Sequence, residues 1–439
     1  MVTPYTLPGQ TTQMDVTDEA RQLIRTAIDT HENVQNVQSL AQTYLLQGNY
    51  DEVIASLSAK VKDLTPELTE LASWSYIMQG NSLSDQAKTK TGEEADRLFA
   101  LAGEKYQAAL KIKPNDHEAL YNWGNTLFNQ AKTKTGEEAD RLYALAGEKY
   151  QAALKIKPDY HRALYFWGLA LSNQARIKTG ENADSLYALA SEKYQAALKI
   201  KPDDHYALYT WGLVLSTQAM TKTGKEADHL FALAGEKYQT ALKIKPDDHE
   251  ALNNWGNALS NQAKTKTGEE ADYLFAQAGE KYQAALKVKP DMYEAQNNMG
   301  SNLFYQAKIK TGEEADYLFA QAGEKYQAAL KIKPDYHKAL SNWGIALYNQ
   351  AKTKTGEEAD RLFAQSKDLF LKAESILPGI SAYNIACWCA IRGQEDECKK
   401  WLEKCLDLRV MQSRQHLEED QDLERVREKP WFKAILARL

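Results

Sequence analysis

The stretch TGEEADRLYALAGEKYQAALKIKP, residues 135–158, decides how this chain folds. Close copies of it end at Pro114, Pro158, Pro202, Pro246, Pro290 and Pro334, with a cognate at Pro378. The glycine of its opening turn returns in register at Gly92, Gly136, Gly180, Gly224, Gly268, Gly312 and Gly356, a step of 44 residues each time. A fixed period between about 20 and 50 residues marks a solenoid, in which each unit buries its apolar face only against its neighbours. That periodicity outranks the division into about three domains that 439 residues would otherwise suggest.

Working outward from this stretch, each period holds two helices. The first is expected to begin after a Pro-Asp pair such as Pro158-Asp159, with the aspartate as N-cap. Its apolar side carries Leu120, Trp123, Leu127 and Ala131, spaced i, i+3, i+7 and i+11. Lys132 and Lys134 fall near its C-terminus, where positive charge offsets the macrodipole. Thr135 and Glu138 read as a capping box that opens the second helix. That helix places Leu142, Leu145, Ala146, Tyr150, Ala153 and Leu154 on its buried side, and Pro158 ends it.

Composition excludes several classes of function. The chain is 43% hydrophobic and 26% charged, with 54 Lys and Arg against 60 Asp and Glu, a net charge of −6. That balance argues against nucleic acid as principal partner. No apolar run approaches the roughly 20 residues of a membrane span, and no charged n-region leads into an apolar h-region, so neither membrane insertion nor secretion is expected. Four cysteines make no disulfide framework, which points to a reducing compartment and a cytoplasmic location.

The repeated residues resemble the tetratricopeptide repeat family, whose pattern is W-x2-L-G-x2-Y, A-x3-F and P over about 34 residues. The matching set here is Leu120-x2-Trp123-Gly124-x2-Leu127, then Ala146-x3-Tyr150-x2-Ala153 and Pro158. Two departures stand out: tryptophan takes the second large position, and ten residues are added between the helices, which makes the hairpin taller. Covering about residues 34 to 439, the resemblance implies an all-α, right-handed superhelical solenoid of antiparallel helix hairpins. Residues 1–13 show no periodicity and are expected to be disordered. Residues 14–90 hold N-terminal helices and a short repeat turning at Gln47-Gly48-Asn49-Tyr50, and residues 91–378 the long repeats. In residues 379–439 a short repeat turns at Arg392-Gly393-Gln394. It precedes Asp420-x-Asp422-Leu423 and Lys429-Pro430-Trp431-Phe432, similar to the closing segment of many bacterial arrays in the family.

No motif for phosphate cradling, dinucleotide binding, zinc proteolysis or a nucleophile elbow occurs, so the protein is read as no enzyme, with no cofactor. The recurring His117, His161, His205, His249 and His337 occupy one position in separate hairpins. Packed helices stand about 8–10 Å apart, too far for adjacent imidazoles to share an ion each holds at about 2 Å. Cys389, Cys398 and Cys405 align with core positions, whereas Cys387 falls on a groove position and is the one candidate for reactivity. No metal is expected.

Because the repeats are nearly identical, the positions that differ are informative, and many lie on the first helix. Counting the histidine as the first position, the fifth reads Tyr121, Tyr165, Tyr209, Asn253, Asn297 and Ser341. The sixth reads Asn122, Phe166, Thr210, Asn254, Asn298 and Asn342, and the ninth Asn125, Leu169, Leu213, Asn257, Ser301 and Ile345. The thirteenth reads Asn129, Asn173, Thr217, Asn261, Tyr305 and Asn349. In the family this chain resembles, these positions face the concave groove. Asparagine offers one acceptor and two donors, so a row of it can pair with an extended peptide backbone. The arrangement is similar to the asparagine ladder of the O-linked N-acetylglucosamine transferase. Between the polar ends, Tyr165, Phe166, Leu169, Tyr209 and Leu213 form an apolar patch suited to an anchor side chain. Lysine is missing from the fifth and ninth positions, so the carboxylate clamp of some relatives is not expected.

The sequence therefore points to a non-catalytic scaffold whose partner is a protein or peptide of unknown identity. The partner-binding residues are Asn122, Asn125, Asn129, Tyr165, Phe166, Leu169, Asn173, Tyr209, Leu213, Asn254, Asn257, Asn261, Asn298, Asn342 and Asn349. Two other readings stay open: a regulatory or sensor subunit of a separate effector enzyme, and an architectural spacer that self-associates through its ends.

Overall fold

A computed structural model describes residues 66–439; the stretch expected to be disordered and the short repeat around Gln47 lie outside the described residues. The elements are α1 (Pro66–Ala87), α2 (Gly92–Ile112), α3 (His117–Ala131), α4 (Gly136–Ile156), α5 (His161–Ala175), α6 (Gly180–Ile200) and α7 (His205–Ala219). They continue with α8 (Gly224–Ile244), α9 (His249–Ala263), α10 (Gly268–Val288), α11 (Tyr293–Lys308), α12 (Gly312–Ile332), α13 (His337–Lys352) and α14 (Gly356–Ile376). A shorter pair, α15 (Ala382–Ile391) and α16 (Glu395–Asp407), leads to α17 (Arg414–Glu419), a 3-10 turn (Gln421–Val426) and α18 (Pro430–Leu436). Among the described residues no strand occurs. Two compact units make up the chain, one ending at Ala207 and the other beginning at Leu208.

Each second helix of the long repeats opens on its recurring glycine with φ near +60°, for example Gly136 at +59°. A side chain there would crowd the following carbonyl, which is why glycine holds the position. The expected capping box does not form. Thr135 is extended and makes no side-chain cap bond, and Glu138 lies 3.4 Å from Lys134 instead. The first-helix cap also sits one residue later than the Pro-Asp reading placed it. Asp116 and Asp248, the second residues after their prolines, accept from the amides at N2 and N3, whereas Asp159 is exposed and Tyr160 occupies the cap of α5.

Burial in the hairpins follows a large-to-small rule. The second-helix tyrosines Tyr106, Tyr150, Tyr194, Tyr238, Tyr282 and Tyr326 are almost wholly buried. Each lies on a first-helix glycine: a Cβ added to Gly124 would come within 2.6 Å of Tyr150 Cε1. The glycine is therefore required by close approach of the ring. Leu120, Trp123 and Leu127, expected on the buried side, are only half-buried, and Ala119, Gly124 and Phe128 lie deeper. Tryptophan serves as a lid: Lys149 caps the Trp123 ring at 3.8 Å, and Lys281 caps Trp255 at 4.2 Å. Such contacts contribute on the order of 0.5–1 kcal/mol when exposed.

Consecutive hairpins are also tied by charge. Lys134 meets Asp96 at 2.6 Å, Lys178 meets Asp140 at 2.6 Å, Lys266 meets Asp228 at 2.7 Å and Lys310 meets Asp272 at 2.8 Å, each across 38 residues. Lys354 and Asp316 form the same pair. The hydrogen bond from Lys134 holds the Asp96 carboxyl below its ordinary range. The lysines of the turn thus join neighbours as well as offset a helix dipole.

Candidate partner-binding site

The first helices of the second unit carry a continuous polar row. Asn254 donates to Tyr209 Oη at 2.8 Å, Asn257 donates to Asn254 Oδ1 at 3.3 Å, and Tyr282 donates to Asn257 Oδ1 at 2.8 Å. One repeat on, Asn298 donates to Asn253 Oδ1 at 3.1 Å, and Asn342 donates to Asn297 Oδ1 at 3.1 Å. Asn297 donates to Asn298 Oδ1, and Tyr326 reaches Ser301 Oγ at 3.2 Å. The sixth position of one hairpin therefore bonds the fifth position of the hairpin before it. Asn253 and Asn297 are buried, whereas Asn254, Asn257, Asn298 and Asn342 are half-buried and face outward with capacity left. Asn254 and Asn298 each use one of two amide N–H groups, so a donor remains on each, and the Asn342 oxygen receives no donor from the described residues.

Not every site residue expected from the sequence joins this row. Asn173 and Asn349 turn back onto their own helices, donating to Leu169 O and Ile345 O, each at 2.8 Å. Asn261 bonds Met220 Sδ at 3.4 Å and accepts from Lys264 Nζ at 3.0 Å. In the first unit, Asn125 accepts from Tyr150 Oη at 2.8 Å, and Asn122 and Asn129 are half-buried. Phe166 packs edge-on to Tyr121 at 5.8 Å and Tyr165 at 5.0 Å, and with Leu169 it leans on the cluster around Phe128 and Tyr150. Tyr209 packs on Tyr238 at 6.3 Å in the second unit, where Leu213 is 39% exposed. Phe166, Leu169 and Tyr209 are thus partly spent on packing between helices.

The C-terminal end of the same face is covered. Asp420 accepts from Tyr383 Oη at 2.6 Å and lies 3.7 Å from the Cys387 thiol, while Asp422 accepts from Tyr348 Oη at 2.9 Å and pairs with Lys352 at 2.5 Å. Leu417, Leu423 and Phe432 anchor the segment in the core beneath. Cys387, placed on an open groove position by sequence alignment, is consequently 4% exposed. Burial, then the negative charge of Asp420 and Asp422, pushes its thiol well above the ordinary range, which makes it a poor nucleophile. Sequence reasoning missed this because the covering segment lies more than 30 residues away. Among the described residues, the one group of three potential metal ligands is Cys387, Asp420 and Asp422, and each is already hydrogen-bonded or ion-paired.

The repeating hairpins, their 44-residue register and the glycine–tyrosine contact settle the architecture. The described chain is a tetratricopeptide-like array of helix hairpins. A family model described as the plant-specific mitochondrial import receptor subunit TOM20 matches residues 94–219 and 198–301, just under half of the chain. Among solved structures, the chain is similar to yeast Tom70, with 14% identity, TM-score 0.47 and 96% of each chain covered. It is similar also to the C-terminal part of a TPR repeat-containing protein from Cytophaga hutchinsonii, with 14% identity, TM-score 0.45, and 70% of this chain and 98% of that one covered. YrrB, described as a TPR protein with an unusual peptide-binding site, gives 19% identity and TM-score 0.36 over 54% of this chain and 97% of its own. No curated protein matches the sequence. The plain cytoplasmic location expected from cysteine usage is corrected by the family match, whose description is mitochondrial. Cysteine count reports redox conditions and cannot separate a cytoplasmic protein from one on an organelle facing the cytoplasm. Among the described residues no helix is long and apolar enough to cross a membrane.

Proposed function

We propose that this protein is a non-catalytic interaction scaffold at a mitochondrial surface, holding an extended segment of a partner protein against the first-helix face of its second unit. The observation that carries the reading is the row Asn254, Asn298 and Asn342, spaced by one repeat and bonded so that polar capacity is left outward. Carboxamides fixed by their neighbours lose little freedom when a peptide arrives, so less affinity is lost to ordering. Asn257, Asn261 and Asn349 flank the row, and Leu213 supplies exposed apolar surface in the same unit. In the first unit Asn122, Asn125, Asn129, Tyr165, Phe166, Leu169 and Asn173 offer a more apolar version of that face. The match to an import receptor subunit supports a role in handling proteins at mitochondria.

The test pairs Asn254→Ala with Asn298→Ala and asks what the purified protein captures from a mitochondrial extract. Loss of specific capture is expected, at a temperature where circular dichroism shows the variant fully helical. Replacing the exposed second-helix residues Tyr273 and Tyr317 by alanine should leave capture intact. Unchanged capture by the asparagine variant would overturn the reading.

A further inference from the structure

From α9 onward the position sixteen residues into each first-helix register is a lysine, Lys264, Lys308 and Lys352 at steps of 44 residues, where the α7 register has Met220 and the first unit has Lys132 and Arg176. In the last of these hairpins the protein itself shows what such a lysine takes. Lys352 pairs with Asp422 of the C-terminal segment, and the neighbouring Tyr348 hydroxyl donates to the other oxygen of the same carboxylate. Asp420, two residues earlier, binds the following first helix through Tyr383. A short acidic stretch thus lies across first helices and fills the face.

One and two repeats earlier the cation is present and the carboxylate is not. Lys264 and Lys308 are exposed, and among the described residues their ammonium groups meet no carboxylate: Lys264 donates to Asn261, and Lys308 lies 6.0 Å from the centre of the Phe304 ring. Both lie on the face already described, because residues 257, 261 and 264 and residues 301, 305 and 308 are spaced i, i+4 and i+7 along their helices. Lys264 is also positioned: its ammonium sits 4.0 Å from the centre of the Tyr305 ring and donates to Asn261. Unpaired lysines on an otherwise carboxamide-lined face complement negative charge and disfavour a basic segment.

We propose that Lys264 and Lys308 receive acidic side chains of the partner segment, each taking a carboxylate as Lys352 takes Asp422. The proposal rests on the groove reading above and names the partner's chemistry. Packed helices stand about 8–10 Å apart, and an extended chain advances about 3.3 Å per residue, so two acids three residues apart match two successive lysines. A carboxylate is the fitting group because the one anion the structure shows on a lysine of this register is the Asp422 side chain.

The experiment uses the full chain and fluorescence anisotropy. The probe is a fluorescein-labelled serine/alanine peptide with two aspartates three residues apart, compared with its asparagine twin, a lysine twin and an oligothymidylate. The aspartate peptide should bind about tenfold more tightly than its twin, a preference expected of charge-assisted bonds. The preference should shrink as salt rises from about 50 to about 300 mM, and it should vanish in Lys264→Gln/Lys308→Gln. Lys308 is exposed and makes no hydrogen bond among the described residues, so Lys308→Gln alone should keep its melting temperature and still lose part of the preference, while the double variant is compared at a temperature where circular dichroism shows it fully helical. Equal binding of the aspartate and asparagine peptides, or an unaltered preference in the lysine variant, would overturn the proposal and leave the groove reading standing. Tighter binding of the lysine peptide or the oligothymidylate would overturn it too, and no binding by any peptide would remove both readings.

Discussion

Lys352 and Lys308 hold the same place in successive hairpins and both are exposed, yet one is ion-paired and the other is not. Beside Lys352 the segment from Ser413 to Val426 lies down on the face, excludes water from Cys387 and satisfies the lysine with Asp422. Beside Lys308 the face carries Asn298, Ser301 and Tyr305 and no covering segment among the described residues. A tetratricopeptide-like array must close its last apolar face, and here it does so with acids that meet the repeated cation. On the proposed reading, cover and partner-binding site are two uses of one surface pattern.

Releasing the cover should produce the largest effect. Leu423, within the 3-10 turn, is fully buried, and Leu423→Ala should cost about 3 kcal/mol. The same change should expose Cys387, raising its labelling rate by a thiol reagent near pH 8 by about an order of magnitude, a rate set by thiolate access. Fast labelling of Cys387 in the unaltered protein would break the comparison at once.

Next in size is the difference between the two lysines. Lys352→Met removes the exposed partner of the part-buried Asp422 and should destabilise by about 0.5–1 kcal/mol. Lys308→Met should stay within about 0.5 kcal/mol, as expected for a surface position without a partner. Equal losses in urea melts would mean that Lys308 already has an internal role.

The smallest contrast lies one layer deeper. Tyr150 Oη donates to Asn125, but Tyr194, whose ninth-position neighbour is Leu169, has only Ser172 near its buried hydroxyl and no well-formed hydrogen bond there among the described residues. Tyr150→Phe should therefore cost about 1 kcal/mol, while Tyr194→Phe should be neutral or slightly stabilising. Thermal melts of the two single variants give the sign. A similar loss in both would show that the hydroxyl of Tyr194 is satisfied in solution.

Much of this was legible in the residues. Recurring proline and glycine fixed the hairpin boundaries, because one ends a helix and the other tolerates the positive φ of the turn. The variable first-helix positions were visible as differences among near-copies. Hidden from that reading were the partners of each carboxamide. Spacing along one helix puts Asn254 and Asn298 on a common face but does not say that each bonds a residue 45 positions earlier. The Thr135–Glu138 box is missing for a reason shared by all the long repeats, since the threonine makes no cap bond even in α6, where Asn182 stands in place of the glutamate. Cys387 was misjudged because a segment arriving from residues 413–426 covers it. The recurrence of Lys264, Lys308 and Lys352 was readable from the start; its meaning emerged only once Asp422 stood beside the last of them.

The most direct test of the central claim is hydrogen–deuterium exchange of the full chain, alone and with its captured partner bound. Slowed exchange should concentrate in α9, α11 and α13, around Asn254, Asn298 and Asn342, and extend to the helix ends at Lys264 and Lys308. Protection confined to the second helices, around Tyr273 and Tyr317, would contradict the account.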